Sequence, residues 1–241
     1  MPTDQVTFSF FRYSLGYSPA AFLFMGFRRL FIGDDVPAGE FRLMGCGGDD
    51  GFSILPDLRT YCLMSALPDA ATDRRLRQSR FYRRIAEPSQ AQLHILLRPI
   101  SGHGTWDGRE PFAYSGERAA DGPLAVLTHA RVHDHRLRAF WRSVPRIRQH
   151  LRDAPGCLFH IGFGEGPLRT LATFSLWQDV ERMRAFAYQQ SPHHRTLRAA
   201  RQEHWLSESI FVRFRVLSIS GDLGAWPLRS EPLVAAQGRS C

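Results

Sequence analysis

The fold is decided by five stretches read in order: LAVLTHARV (124–132), RLRAFWRSVPRIRQHLR (136–152), CLFHIGF (157–163), TLATFSLW (170–177) and IFVRFRVLS (210–218). The first, third, fourth and fifth are short, β-branched and aromatic, and they read as strands. In the second, Leu137, Phe140, Trp141, Val144, Ile147 and Leu151 recur at helical spacing on one face, while Arg136, Arg138, Arg142, Arg146, Arg148 and Arg152 take the other. Pro145 inside it implies a kink. GEGP (164–167) between the third and fourth stretches is a hairpin signal, and 180–205 is a second helical pattern interrupted at Ser191 and Pro192. The order is strand, helix, strand, strand, helix, strand.

The same order appears upstream. VTFSFFRY (6–13) reads as a strand, and Ser18 and Pro19 open a helix to about position 31. A Gly-, Asp- and Pro-rich stretch (33–59) holds a short strand at 41–44 and otherwise reads as a functional loop. Strands at 60–67 and 92–100 flank an arginine-studded helix at 70–86 whose apolar stripe is Leu76, Phe81 and Ile85. Two successive split βαβ units predict an α+β chain with a duplicated ferredoxin-like fold. Two antiparallel sheets then bury their bare faces against each other, with helices outside. The expected division is a first half at 1–100, a linker loop at 101–123, a second half at 124–220 and a loosely ordered tail at 221–241.

Composition narrows the chemistry. The 241 residues contain 31 basic side chains, every one of them arginine, against 23 acidic ones, for a net charge of +8. Without lysine, P-loop nucleotide binding, pyridoxal Schiff-base chemistry and protein-kinase chemistry are all excluded. The positive charge suits an anionic partner, or serves solubility alone. No recognised nucleic-acid motif is present and the arginines are spread rather than striped, so nucleic-acid binding is not expected. Cys46, Cys62, Cys157 and Cys241 form no C-x-x-C pair, so neither a zinc ribbon nor a disulfide framework is expected. No apolar run reaches membrane-spanning length; the nearest is the short 20–27 segment, soon followed by Arg28 and Arg29. The N-terminus does not read as a signal peptide, and the expected compartment is the cytoplasm.

Short motifs carry little. GFGEG (162–166) is followed by a proline and another strand rather than a helix, so it is not a dinucleotide loop. There is no G-x-S-x-G, no H-E-x-x-H and no local half of an iron facial triad. His129, His133 and His135 gather around Asp134, as metal ligands or as a polar strand end with Asp134 capping the next helix. In SPHHR (191–195), a helix restarted at Pro192 places His193 on the face of Leu197 and Ala200, and His194 with Arg198 and Arg201. His193 is the better inward histidine. An imidazole aimed from a helix into an apolar, sheet-lined cavity can hold haem iron as a single proximal ligand. The alternative is a helix-start histidine bonded to a backbone carbonyl.

Taken together, FWRSVPRIRQHLRDAPGCLFHIGFGEGPL (140–168), ATFSLWQDVERMRAFAY (172–188), SPHHR and SESIFVRFRVL (207–217) resemble the spheroidene monooxygenase family of carotenoid biosynthesis, and VTFSFFRY fits the family's N-terminal strand. The resemblance implies a haem enzyme that introduces a keto group at C-2 of a methoxylated acyclic carotenoid, using O₂ and reduced ferredoxin. It also implies kinship with the dimeric α+β barrel proteins. His193 is the position that carries over as axial ligand, with His194 the alternative. Arg146 or Arg148 would meet the haem propionates. Phe140, Trp141, Phe159, Phe163, Phe174, Trp177 and Phe186 would line a trench for the polyene. A bilayer-dissolved substrate implies peripheral contact with the anionic face of the inner membrane. A haem- or lipophilic-ligand-binding barrel without catalysis is the competing expectation.

Overall fold

A computed structural model describes residues 5–117, 122–166, 168–188 and 204–229. Eight strands run β1 (Gln5–Arg12), β2 (Glu40–Gly47), β3 (Pro56–Leu67), β4 (Ala91–Gly104), β5 (Leu124–Val132), β6 (Cys157–Gly166), β7 (Thr170–Trp177) and β8 (Leu206–Gly221). They close into one antiparallel barrel in the order β1-β3-β2-β6-β7-β5-β8-β4. Each half carries the same internal order: β4-β1-β3-β2 is matched by β8-β5-β7-β6. The chain is thus a duplicated ferredoxin-like fold. The two four-stranded sheets are joined by a long β4–β8 seam and by a short β2–β6 seam at Gly45–Gly164 and Cys46–Phe163.

Alternation along each strand sorts the core. Val6, Phe8 and Phe10 of β1 point inward, whereas Phe11 turns out to the first-half helices. Inside, Phe8, Phe10, Phe159, Phe163, Phe174 and Phe214 form one contiguous aromatic cluster; the Phe8 and Phe174 ring centroids lie 4.9 Å apart. Both barrel ends are plugged. The 105–112 loop inserts Trp106 and Phe112 at one end, and Trp226 closes the other against Phe10. An arginine lies over each plug: Arg42 is 4.6 Å from the Trp106 centroid and Arg12 is 4.7 Å from that of Trp226. The barrel is therefore a packed core. The apolar, sheet-lined cavity expected from the sequence does not lie inside the barrel.

Among the described residues five helices of seven residues or more lie outside: α1 (Ser18–Gly26), α2 (Ala70–Gln78), α3 (Arg80–Ala86), α4 (Leu137–Asp153) and α5 (Val180–Tyr188). The expected single helix at 70–86 is two, because Ser79 ends one and starts the next. Its hydroxyl donates to the Leu76 carbonyl and accepts from the Tyr82 N–H. The 33–59 stretch is more ordered than a loop, since β2 and β3 take positions 40–47 and 56–59 of it. Between them the chain turns through Asp49 and Asp50 at positive φ, and Gly51 at φ +92° packs on the Gly162 backbone with no room for a Cβ. At the far end, β8 continues to Gly221 and the chain stays packed to Arg229, whose N–H donates to the Leu158 carbonyl. Residues 230–241 lie outside the described residues.

Candidate functional site

Helices α4 and α5 cover the outer face of the second-half sheet. Val126, Thr128 and Ala130 of β5 face out between the inward Ala125, Leu127 and His129, and Leu171, Thr173, Ser175 and Trp177 of β7 do the same. Above them α4 presents Phe140, Ile147 and Leu151, and α5 presents Met183, Phe186 and Ala187. Trp205 and Leu206, at the start of β8, complete the rim. The enclosed space is about 170 Å³ and almost wholly apolar. Ser175 does not break that character, because its hydroxyl accepts from the Trp177 indole N–H at 2.9 Å. The chain leaves the described residues after Tyr188, next to the wall residue Ala187, and returns at His204, next to Trp205.

His193 and His194 fall within 189–203 and so lie outside the described residues. Of the seven aromatic residues expected to line a trench, Phe140, Trp177 and Phe186 come together in this cavity. Trp141 packs beside them and donates its indole N–H to the Leu168 carbonyl at 3.2 Å. Phe159, Phe163 and Phe174 do not join them, since they are buried inside the barrel. Strand alternation carried that distinction, because Phe174 sits one residue out of phase with Thr173 and Ser175. It also pointed to the wall residues Thr128, Leu171 and Thr173, which a search for aromatics alone passes over. Arg146 is exposed on α4. Arg148 turns away toward Asp49 and Asp50, at 3.3 and 3.5 Å.

Two polar clusters lie elsewhere. At the Trp106 end, Arg42 binds Glu40 at 2.7 Å, Asp107 at 2.7 Å and Glu165 at 3.1 Å. Its hydrogen bond holds the Asp107 carboxyl below the usual carboxylate range. Beneath this lid His129 is 1% exposed, stacks on Trp106 at 4.2 Å, and has no partner for either ring nitrogen among the described residues. Burial pushes its pKa down to about 4. At the opposite end, Arg148, Arg152 and Arg229 border a recess of about 300 Å³ with His160 and Cys157. Burial lowers the His160 pKa and pushes the Cys157 thiol up to about 12. No group of three or more ligating side chains that could hold a metal occurs among the described residues, at the His133–His135 cluster or elsewhere. Nor does Asp134 cap α4. It lies in a 3₁₀ turn and pairs with Arg169 at 2.9 Å.

No protein-family model matches the chain. Curated relatives do. A spheroidene monooxygenase from Rhodobacter capsulatus is 35% identical over 206 residues, which covers 84% of this chain and 86% of that protein. The chain belongs to the spheroidene monooxygenase family. Membership makes it an oxygenase. A second spheroidene monooxygenase, from Cereibacter sphaeroides, is 32% identical over 79% of this chain and 59% of its own length. Among solved structures, that of the aldoxime dehydratase OxdRE in complex with butyraldoxime superposes with a TM-score of 0.58, 12% identity, and coverage of 89% of this chain and 81% of that one. At that identity the likeness is one of fold, and it agrees with the duplicated α+β barrel.

Proposed function

We propose that the chain is a haem-dependent carotenoid monooxygenase that converts a methylene at C-2 of an acyclic, methoxylated carotenoid to a ketone, with reduced ferredoxin as electron donor. The observation that carries this reading is the 35% identity to the Rhodobacter capsulatus relative across most of both chains. Converting one methylene to a carbonyl breaks two C–H bonds and forms C=O. It consumes two O₂, four electrons and four protons, and releases three waters. Each reduced ferredoxin supplies one electron. Haem would supply the O₂ activation, while the protein supplies ligand, dryness and orientation.

The cavity outside the second sheet suits such a group in character. Its walls are apolar and aromatic, with Trp177 on the sheet and Phe140 and Phe186 on the helices. Its 170 Å³ is below the roughly 300 Å³ at which small-molecule sites begin. The segment that carries His193 and His194 both leaves and rejoins the described chain at this cavity's rim. In this reading His193, or His194 in its place, holds the iron. Arg146 is the propionate partner, because Arg148 is committed to Asp49 and Asp50. The apolar walls would keep water away from the iron, since almost no polar group faces the cavity. The test is expression in cells that accumulate the unketolated carotenoid. A new keto carotenoid is expected, and an unchanged pigment profile with confirmed haem loading would overturn the reading.

A further inference from the structure

Helix α1 and the turns on either side of it, positions 15–32 (LGYSPAAFLFMGFRRLFI), are apolar on both faces. One face is accounted for: Ala21, Phe24, Met25 and Phe31 pack on the first-half core. The other is not. Thirteen large hydrophobic side chains are exposed among the described residues, and seven of them lie in these 18 positions. Leu15 and Leu30 are more than three-quarters exposed, and Phe22, Leu23 and Phe27 at least half. Phe22 and Leu23 stand on α1, Phe27 caps its C-terminus and Leu30 lies in the 3₁₀ turn that follows, so the exposed apolar side chains run on past the helix end where a globular surface carries charge. No acidic residue occurs between positions 12 and 32, whereas Arg28 and Arg29 stand beside Phe27 and Leu30.

We propose that this segment is the surface by which the chain sits on an anionic lipid bilayer, with Phe22, Leu23, Phe27 and Leu30 entering the acyl boundary and Arg28 and Arg29 on the headgroup phosphates. The proposal rests on the carotenoid reading for its purpose, since the substrate is dissolved in lipid, but on the exposed face for its location. Nine helical residues are far short of the roughly 20 needed to span a bilayer, and no helix among the described residues is long and apolar enough to cross one. A short apolar segment with arginines at its end lies in the interface plane, anchored by apolar area and by charge together. A second copy of the chain is a poorer occupant, because the barrel already closes within one chain and leaves no sheet edge open for a partner.

The test is flotation of the full-length protein with vesicles of phosphatidylcholine alone and of phosphatidylcholine with phosphatidylglycerol. The wild type floats with both and more strongly with the anionic ones. The double variant Phe27→Ser/Leu30→Ser loses about a hundredfold in partitioning on either vesicle, from two apolar side chains no longer buried. Arg28→Gln/Arg29→Gln loses about thirtyfold, on anionic vesicles only, at roughly fivefold per arginine. Circular dichroism of all variants matches the wild type, because Phe27, Arg29 and Leu30 are exposed and half-buried Arg28 gives up only a surface hydrogen bond to the Met25 carbonyl. A wild type that stays with neither vesicle overturns the proposal, as does concentration-dependent self-association that the Phe27/Leu30 variant abolishes while vesicle binding persists. Failure of the carotenoid reading shows separately: Phe27→Ser/Leu30→Ser still ketolates carotenoid presented in detergent micelles if that reading holds, whatever the vesicles show.

Discussion

His129 makes the fold sensitive to acid in a way that a single substitution isolates. Its ring is 1% exposed with both nitrogens unpartnered among the described residues, so the fold holds it neutral. Burial is the main cause of its pKa of about 4 against an ordinary 6.5; Glu208 and Asp107 pull upward, and Arg42 and Arg131 push down. Between those two values the unfolded chain carries a proton that the folded chain refuses. Stability from this site is therefore complete above pH 6.5 and is lost as the pH falls toward 4. A gap of about 2.5 units at 1.36 kcal/mol each gives a loss of about 3 kcal/mol over the whole window, and about 2 kcal/mol by pH 5. His129→Phe keeps a flat ring against Trp106 and removes the titration. Urea unfolding followed by tryptophan fluorescence at pH 7, 6 and 5 reads the difference directly. The gap between variant and wild type should move in the variant's favour by about 2 kcal/mol from pH 7 to pH 5. Parallel pH profiles for the two proteins would refute the assignment of a neutral, proton-refusing imidazole beneath Trp106.

Other expectations follow from the same structure. Phe174→Ala opens a void at the centre of the aromatic cluster, where Phe8 and Phe159 also lose a neighbour, and should cost about 3–5 kcal/mol in denaturant unfolding. Gly51→Ala drives a methyl group into the Gly162 backbone at φ +92°, so its unfolding midpoint should drop sharply, whereas Gly108→Ala, with open space around it, should lose only the smaller positive-φ cost. Cys46, Cys62 and Cys157 are buried with thiol pKa values pushed up. All three should resist alkylation at pH 8 in the native state and react once the chain is unfolded, as mass spectrometry would show.

How far the sequence reached differs by half and by level. The duplicated order of strands and helices was legible because each strand carries its own β-branched, aromatic run, and α4 has a complete apolar stripe opposed by arginines. The break at Ser79 was not, since the apolar stripe Leu76, Phe81, Ile85 continues across it and only the serine's paired hydrogen bonds reveal two helices. Seven aromatics were expected along one polyene trench, and the register turned three of those rings, Phe159, Phe163 and Phe174, into barrel filling. Which side of a strand a phenylalanine takes depends on phase, and Phe174 and Thr173 differ by one position. The plugs at the barrel ends were also hidden, because Trp106 and Trp226 sit in glycine-rich stretches that read as loops. Their burial comes from tertiary closure, which no local pattern records. Family membership came from longer matched stretches, where many weak constraints add.

The central proposal is that an imidazole in SPHHR would hold haem iron at the apolar cavity outside the second sheet. It is tested most directly by the absorption spectrum of the purified protein titrated with haemin, for the wild type, His193→Ala and His194→Ala. The account predicts a saturable Soret band at one haem per chain that one of the two substitutions abolishes and the other spares. Ketolation of carotenoid by a wild-type protein that takes up no haemin would contradict it.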